Sequence, residues 1–184
     1  DNTLTSNQSI NEWTRQTNYP DLLTITYNNE KGFVFREEDT KRGCIEISYN
    51  AGETPPSNPV QATVSRPFTY SYNQPPVSFF IHTSVWVEGA SNVTVNILFT
   101  KETESGTQQF LVYSKSKGPT DRWQQSSHDY YLSEDPIVIR NIGSKPSQDR
   151  VFAYPGNFTL SVQVVIPADS GSIKVYLDNL DCIL

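Results

Sequence analysis

The chain has 184 residues, enough for one domain with a core of its own and short of the size at which chains divide into several. Its 14 Lys and Arg stand against 20 Asp and Glu, a net charge of −6, which excludes the basic footprint needed to hold nucleic acid or another polyanion. No apolar run approaches the roughly 20 residues of a membrane-crossing helix, and no signal peptide stands at the front, so Asp1 reads as the start of a processed or trimmed chain.

Residues 1–20 are polar and aperiodic and form an irregular leading segment, with Trp13 expected to pack on the body of the domain. A strand over 22–27 turns at Asn28-Asn29 into a second over 32–36, which predicts a hairpin. A charged connection over 37–43 leads into a strand over 44–49. The stretch 51–59 holds three prolines and a glycine and is a loop. Strands follow over 60–72 and 77–87. In the second of these Val77, Phe79, Ile81, Val85 and Val87 share one face, and Phe80, His82, Ser84 and Trp86 the other. Both faces are partly apolar, so this strand belongs in the middle of a sheet with cover on each side. Residues 93–99 alternate with Val93, Val95, Ile97 and Phe99 inward. Further strands are predicted over 109–114, 128–132, 136–141, 150–154 and 158–166.

The last strand begins after a turn at 168–171 and changes parity on its way. Ile173, Val175 and Leu177 form its apolar row, which then continues as Leu180, Cys182 and Leu184. Such a slip requires a bulge, and Asp178-Asn179 is where it is expected. No window carries apolar residues at helical spacing over three turns. The pattern is that of an all-β protein: one antiparallel β-sandwich over 1–184, of jelly-roll type.

The chain has two cysteines, Cys44 and Cys182, in no C-x-x-C motif. As a single disulfide they would close a loop of about 140 residues, worth up to about 5 kcal/mol in the chain-entropy model. Three sequons stand at Asn7-Gln8-Ser9, Asn92-Val93-Thr94 and Asn157-Phe158-Thr159. Together these features predict a secreted or cell-surface glycoprotein. Glycans on Asn92 and Asn157 are expected on faces that a partner leaves free.

The order of features resembles the galactose-binding-like jelly rolls, the superfold of many carbohydrate-binding modules and of the MAM adhesion domains. The runs that carry it are Val77-Ser-Phe-Phe-Ile-His, Val93-Thr-Val-Asn-Ile-Leu, Leu111-Val-Tyr-Ser, Trp123 ahead of a strand, and the close Gly171-Ser-Ile-Lys-Val-Tyr-Leu-Asp-Asn-Leu. They span residues 60–184. MAM domains have four cysteines and a Cys-x-Phe-Glu opening, and this chain has neither. The resemblance implies the sandwich and not a function, since one superfold serves lectins, adhesion modules and lyases.

Catalytic constellations are sparse. Only His82 and His128 are present, with no Gly-x-Ser-x-Gly elbow and no His-Glu-x-x-His motif. Arg122, Gln124 and His128 stand near Tyr130 and Tyr131, a set similar to that of jelly-roll polysaccharide lyases, yet the acidic chain lacks the basic groove an anionic polymer requires. A structural Ca²⁺ has hard oxygen donors to draw on in Asp178, Asp181, Glu37, Glu38 and Asp39. The resemblance adds to this, because such sandwiches often carry calcium between an early loop and the final strand. For ligand binding, Tyr70, Tyr72, Trp123, Gln124 and Tyr130 lie near strand ends, where aromatic and amide groups serve sugars and protein partners alike. The sequence therefore predicts a noncatalytic extracellular recognition domain of a receptor or adhesion protein that binds a protein. A carbohydrate-binding module or lectin is the alternative, and a polysaccharide lyase the third reading.

Overall fold

A computed structural model describes residues 10–33, 43–70, 78–103, 106–131 and 156–183. These residues form ten strands: β1 (Thr14–Thr17), β2 (Leu23–Asn28), β3 (Cys44–Asn50), β4 (Val60–Tyr70), β5 (Ser78–Glu88), β6 (Val93–Thr103), β7 (Gly106–Lys117), β8 (Gln124–Tyr131), β9 (Gly156–Ile166) and β10 (Ser172–Ile183). They make two five-stranded antiparallel sheets, ordered β1-β4-β9-β6-β7 and β2-β3-β10-β5-β8. Both sheets send one row of alternating side chains inward. Val60, Ala62 and Val64 of β4, Val162, Val164 and Ile166 of β9, and Val93, Val95, Ile97 and Phe99 of β6 meet Ile45, Ile47, Val85, Val87, Ile173, Val175 and Leu177 in one continuous core. Period-2 patterning of this kind is what a sheet with one buried face demands.

Several sequence expectations hold in the structure. Trp13 is buried against the core, together with Ile10. The expected bulge is present, as a register shift in β10 between Asp178 and Asp181 on the β5 side. It carries the inward row from Leu177 to Leu180, and both side chains are buried. β5 lies between β10 and β8, with cover on both faces as its composition required.

Other expectations do not hold. The leading segment contains a short strand, β1, held by pairing with β4. Its four side chains are too polar to announce a strand. Residues 32 and 33 are irregular and β2 pairs with β3, while residues 34–36 of the expected hairpin lie outside the described residues. The long connection between those strands leaves β2 to find its partner by its own inward row, Leu23 and Ile25. The strands expected over 136–141 and 150–154 lie outside the described residues.

The expected bridge is not seen: Cys44 is a free, buried thiol. The register explains why. Ile45 pairs with Leu177, which puts Cys44 level with Asp178 and hence with Ser84 of β5. The backbone of Cys182 pairs with Ile81, three residues further along β5. Three strand residues are roughly 10 Å, beyond the roughly 7 Å that a disulfide tolerates between Cα atoms. Burial first, then the nearby carboxylates Asp178 and Glu46, push the Cys44 thiol well above its ordinary pKa. A thiol so placed is nearly unreactive until the protein unfolds. Alkylation of the denatured, unreduced protein followed by intact-mass measurement should therefore add two labels. In a Cys182→Ser variant, Cys44 should label only after denaturation. A denatured, unreduced monomer that takes no label would show the bridge to exist.

Candidate functional site

With the inner faces committed to the core, function is left to the two outer faces, and they differ in kind. Among its described residues, the outer face of the β2-β3-β10-β5-β8 sheet is covered around Trp86, Tyr176 and Asp178. Its cross-strand rows are Ser48–Lys174–Glu88, then Glu46–Tyr176–Trp86, then Asp178–Ser84 beside Cys44. Residues 31–33 fold across these rows. The Lys31 ammonium lies 4.3 Å from the ring centre of Trp86 and 4.4 Å from that of Tyr176, and it pairs with the Glu88 carboxylate. Tyr176 Oη donates to the other Glu88 oxygen at 3.1 Å. The backbone N–H of Phe33 donates to Asp178 Oδ2 at 2.8 Å. Rings of Phe33 and Trp86 meet Trp123 edge-on, at 6.1 and 6.0 Å between centroids. Cation–π and edge-to-face contacts of this type contribute about 0.5–1.5 kcal/mol each.

The strap is set up locally by Asn28, the last residue of β2. Its Oδ1 accepts the N–H groups of Glu30 at 2.9 Å and Lys31 at 3.0 Å, an Asx-type turn that sends the chain back over the sheet. Its Nδ2 donates to Glu46 Oε2 at 2.6 Å, which fixes the turn to β3. Ser48 Oγ and Lys174 Nζ add contacts to Glu46 Oε1 at 2.9 and 3.0 Å. Tyr176 and Asp178 are buried as a result, and burial, Glu46 and Glu88 drive the Tyr176 phenol far above its ordinary pKa.

The outer face of the β1-β4-β9-β6-β7 sheet carries an open groove of about 990 Å³. Its floor is built from the outward row of each strand: Gln163 flanked by Thr63 and Asn96, Ser161 flanked by Ser65 and Leu98, and Thr159 flanked by Pro67 and Thr100. β1 adds Gln16 and Thr14 at one side, and β7 adds Gln109 at the other. Five strands at about 4.8 Å spacing give a path of roughly 19 Å across the sheet. Ser65 and Ser161 share a hydrogen bond at 2.8 Å, and Asn96 Nδ2 donates to Gln163 Oε1 at 3.0 Å. Among the described residues of the lining, Arg15 is the one charged side chain, and none is aromatic. Hydroxyls and amides both donate and accept, so such a floor matches a neutral polyol better than an ion. Beyond Thr100 and Thr159 the surface continues into a second hollow of about 460 Å³, bounded by Pro67, Glu102 and Asn157.

The described residues expected to bind ligand fall in two places. Tyr70 ends β4 in one sheet, whereas Trp123, Gln124 and Tyr130 belong to the edge of the other. Tyr72 lies outside the described residues. Trp123 is wedged between Phe33 and Trp86 rather than offered as a platform, and Gln124 Nε2 is spent on the carbonyl of Gly118 at 2.8 Å. Of the five oxygen donors expected for calcium, only Asp178 has a described side chain, and one of its oxygens holds the Phe33 N–H. No group of three or more His, Cys, Asp or Glu suited to a metal ion exists among the described residues. Asn92 and Asn157 are both exposed, and Asn7 lies outside the described residues. The groove had a sequence signal of its own. In Gln61-Ala-Thr-Val-Ser65 and Thr159-Leu-Ser-Val-Gln163 every outward residue is an uncharged hydroxyl or amide.

No protein-family model and no curated protein sequence matches the chain. Solved structures match it in fold. A carbohydrate-binding module of the β-sandwich superfamily, described for its promiscuous specificity, aligns with 100% of this chain and 62% of its own, with a TM-score of 0.56 and 15% identity. The chain therefore spans less than two thirds of that structure. The C-terminal family 22 carbohydrate-binding module of Clostridium thermocellum Xyn10B aligns over 99% of this chain and 92% of its own (TM-score 0.53, 14% identity). The family 11 module from Clostridium thermocellum, in complex with a β-1,3-1,4-mixed-linked tetrasaccharide, covers 94% of this chain and 88% of its own (0.50, 11%). The fold is the β-sandwich jelly roll of carbohydrate-binding modules, as the resemblance implied.

The roofed face yields a pH prediction. Burial alone would raise the Glu46 carboxyl, but the hydrogen bonds from Asn28, Lys174 and Ser48 outweigh it and hold the group below its usual range. A depressed carboxyl pKa stabilises the fold fully above about pH 4.3, and that contribution is lost as pH falls through the lower folded value. Glu46→Gln should cost about 1–2 kcal/mol at pH 7 in urea melts, and this cost should shrink towards zero in acid. An equal cost at pH 7 and pH 3 would refute the assignment.

Proposed function

We propose that the chain is a noncatalytic carbohydrate-binding domain, acting outside the cell, that takes a neutral polysaccharide along the outer face of the β1-β4-β9-β6-β7 sheet. The observation that carries this reading is the open groove whose floor, apart from Leu98 and Pro67, is hydroxyl and amide, with Pro20, Leu23 and Ile25 also in its lining. An extended polymer of neutral sugars offers matching donors and acceptors along its length, and the shared fold of carbohydrate-binding modules supports the same ligand class. With no aromatic ring in the described lining, hydrogen bonding supplies most of the affinity, and binding is correspondingly weak and enthalpic. The protein-partner reading preferred from sequence is the weaker one. The aromatic residues best suited to anchor a protein, Trp86, Trp123 and Tyr176, pack against one another and Lys31 instead of facing solvent together.

Affinity electrophoresis in gels containing xylan, mixed-linkage β-glucan, galactan or polygalacturonate tests the proposal. Migration should be retarded by at least one neutral polymer and not by polygalacturonate. Gln163→Ala should weaken the retarding interaction about 3–10-fold, the cost of one lost hydrogen bond. Trp123→Ala, on the roofed face, should leave it unchanged. Retardation by no neutral polymer, or a loss with Trp123→Ala that Gln163→Ala does not share, would overturn it.

A further inference from the structure

The sequon Asn157-Phe158-Thr159 lies on β9, the central strand of the grooved sheet. Asn157 and Thr159 are two residues apart and so point to the same outer face, about 7 Å from each other along the strand. Thr159 is itself part of the groove floor, and both residues line the hollow that continues the groove. Asn157 is exposed, and its Oδ1 accepts a hydrogen bond from Thr69 Oγ1 at 2.8 Å, which leaves the amide nitrogen as the projecting end. We propose that an N-linked glycan on Asn157 occupies the groove as a tethered competitor, so that modification of this residue switches the binding face off.

The inference rests on the reading of the groove as a neutral-sugar site. In the modification, Nδ2 of Asn157 bonds to the anomeric carbon of an oligosaccharide carried on a lipid diphosphate. The anomeric C–O bond to the diphosphate breaks, the amide loses one proton, and the lipid diphosphate leaves. The sugars next to the new bond are neutral and rich in hydroxyl and amide groups, the chemistry to which the floor is matched. Tethering raises their effective concentration to about the millimolar range. If the groove holds them with a dissociation constant about one tenth of that, a free polysaccharide binds about tenfold more weakly. Asn92 provides the internal contrast. It precedes β6, about 30 Å along the strand from Lys101 beside the Asn157 end but only four residues from Asn96 at the other end of the floor, so its glycan has to be removed for the effect of Asn157 to be read alone.

Protein secreted from N-glycosylating cells is compared with the same material trimmed by an endoglycosidase to a single N-acetylglucosamine, and with unmodified protein from a bacterial cytoplasm. Asn92→Gln secreted from the glycosylating cells isolates the effect of Asn157. Peptide mass spectrometry reads occupancy, and titration with the neutral polymer that retards the unmodified protein reads affinity. The fully glycosylated protein and Asn92→Gln should both bind about tenfold more weakly than the trimmed and unmodified forms. Equal affinity of all forms, or an Asn157 left unmodified by the cells, overturns the proposal while leaving the groove reading intact. Failure of the unmodified protein to bind any neutral polymer removes both.

Discussion

Both sheets hang on the two strands nearest the C-terminal end of the described chain. β10 sits between β3 and β5, and β9 between β4 and β6. Without β9 one sheet falls into the separate pairs β1-β4 and β6-β7, and without β10 the other falls into β2-β3 and β5-β8. Their inward rows, Leu160, Val162, Val164 and Ile166 on one side and Ile173, Val175 and Leu177 on the other, are all buried. At about 1.5–3 kcal/mol for each fully buried aliphatic side chain, these two rows are a large part of what closes the sandwich. Neither strand tolerates a slip of one residue, because that would exchange this apolar row for the polar one behind it. The bulge in β10 shows the rule obeyed at the one place where the sequence breaks step.

The same alternation leaves the two outer faces with opposite fates. Where the outward row of β10 and β5 is aromatic and charged, the surface is too apolar to remain bare, and the segment after β2 closes over it with an ammonium between two rings. Where the outward rows of β4, β9 and β6 are mostly Thr, Ser, Gln and Asn, with Leu98 and Pro67 as the apolar exceptions, water already satisfies the side chains and no cover is needed. A sandwich therefore offers an open polar sheet face only on the side where its sequence withholds large apolar groups. The groove is a consequence of that restraint.

The inward rows of β4, β6, β9 and β10 were legible in the sequence because their burial is decided by period alone. The bulge was legible because a break in that period has one remedy. The turn at Asn28-Asn29 was legible too, but a turn signal says where the chain reverses and not what it meets afterwards. Asn28 does turn the chain, but the next residues become a strap pinned by Lys31 and Phe33. The groove was not anticipated for a related reason. Aromatic residues near strand ends drew attention as binding groups, yet packing decides which rings face solvent, and Trp123 is held by Phe33 and Trp86. The groove is assembled from single polar residues on five strands, and their adjacency exists only once the strand order β1-β4-β9-β6-β7 is known.

That strand order also governs how the domain can come into being on a ribosome. As the chain emerges, only β2-β3 and β6-β7 join strands that are neighbours in both sequence and sheet. The other described strands can pair early only as β1-β4 and β5-β8, across longer connections, and the four pairs are not joined into sheets until residues 156–183 arrive to fill both central gaps. Vectorial synthesis thus yields no stable half-sandwich for most of its course, and the unfinished chain is most exposed to aggregation just before β9 and β10 are made. Solubility of the nascent chain, more than stability of the finished one, is where this topology makes its demand on the cell.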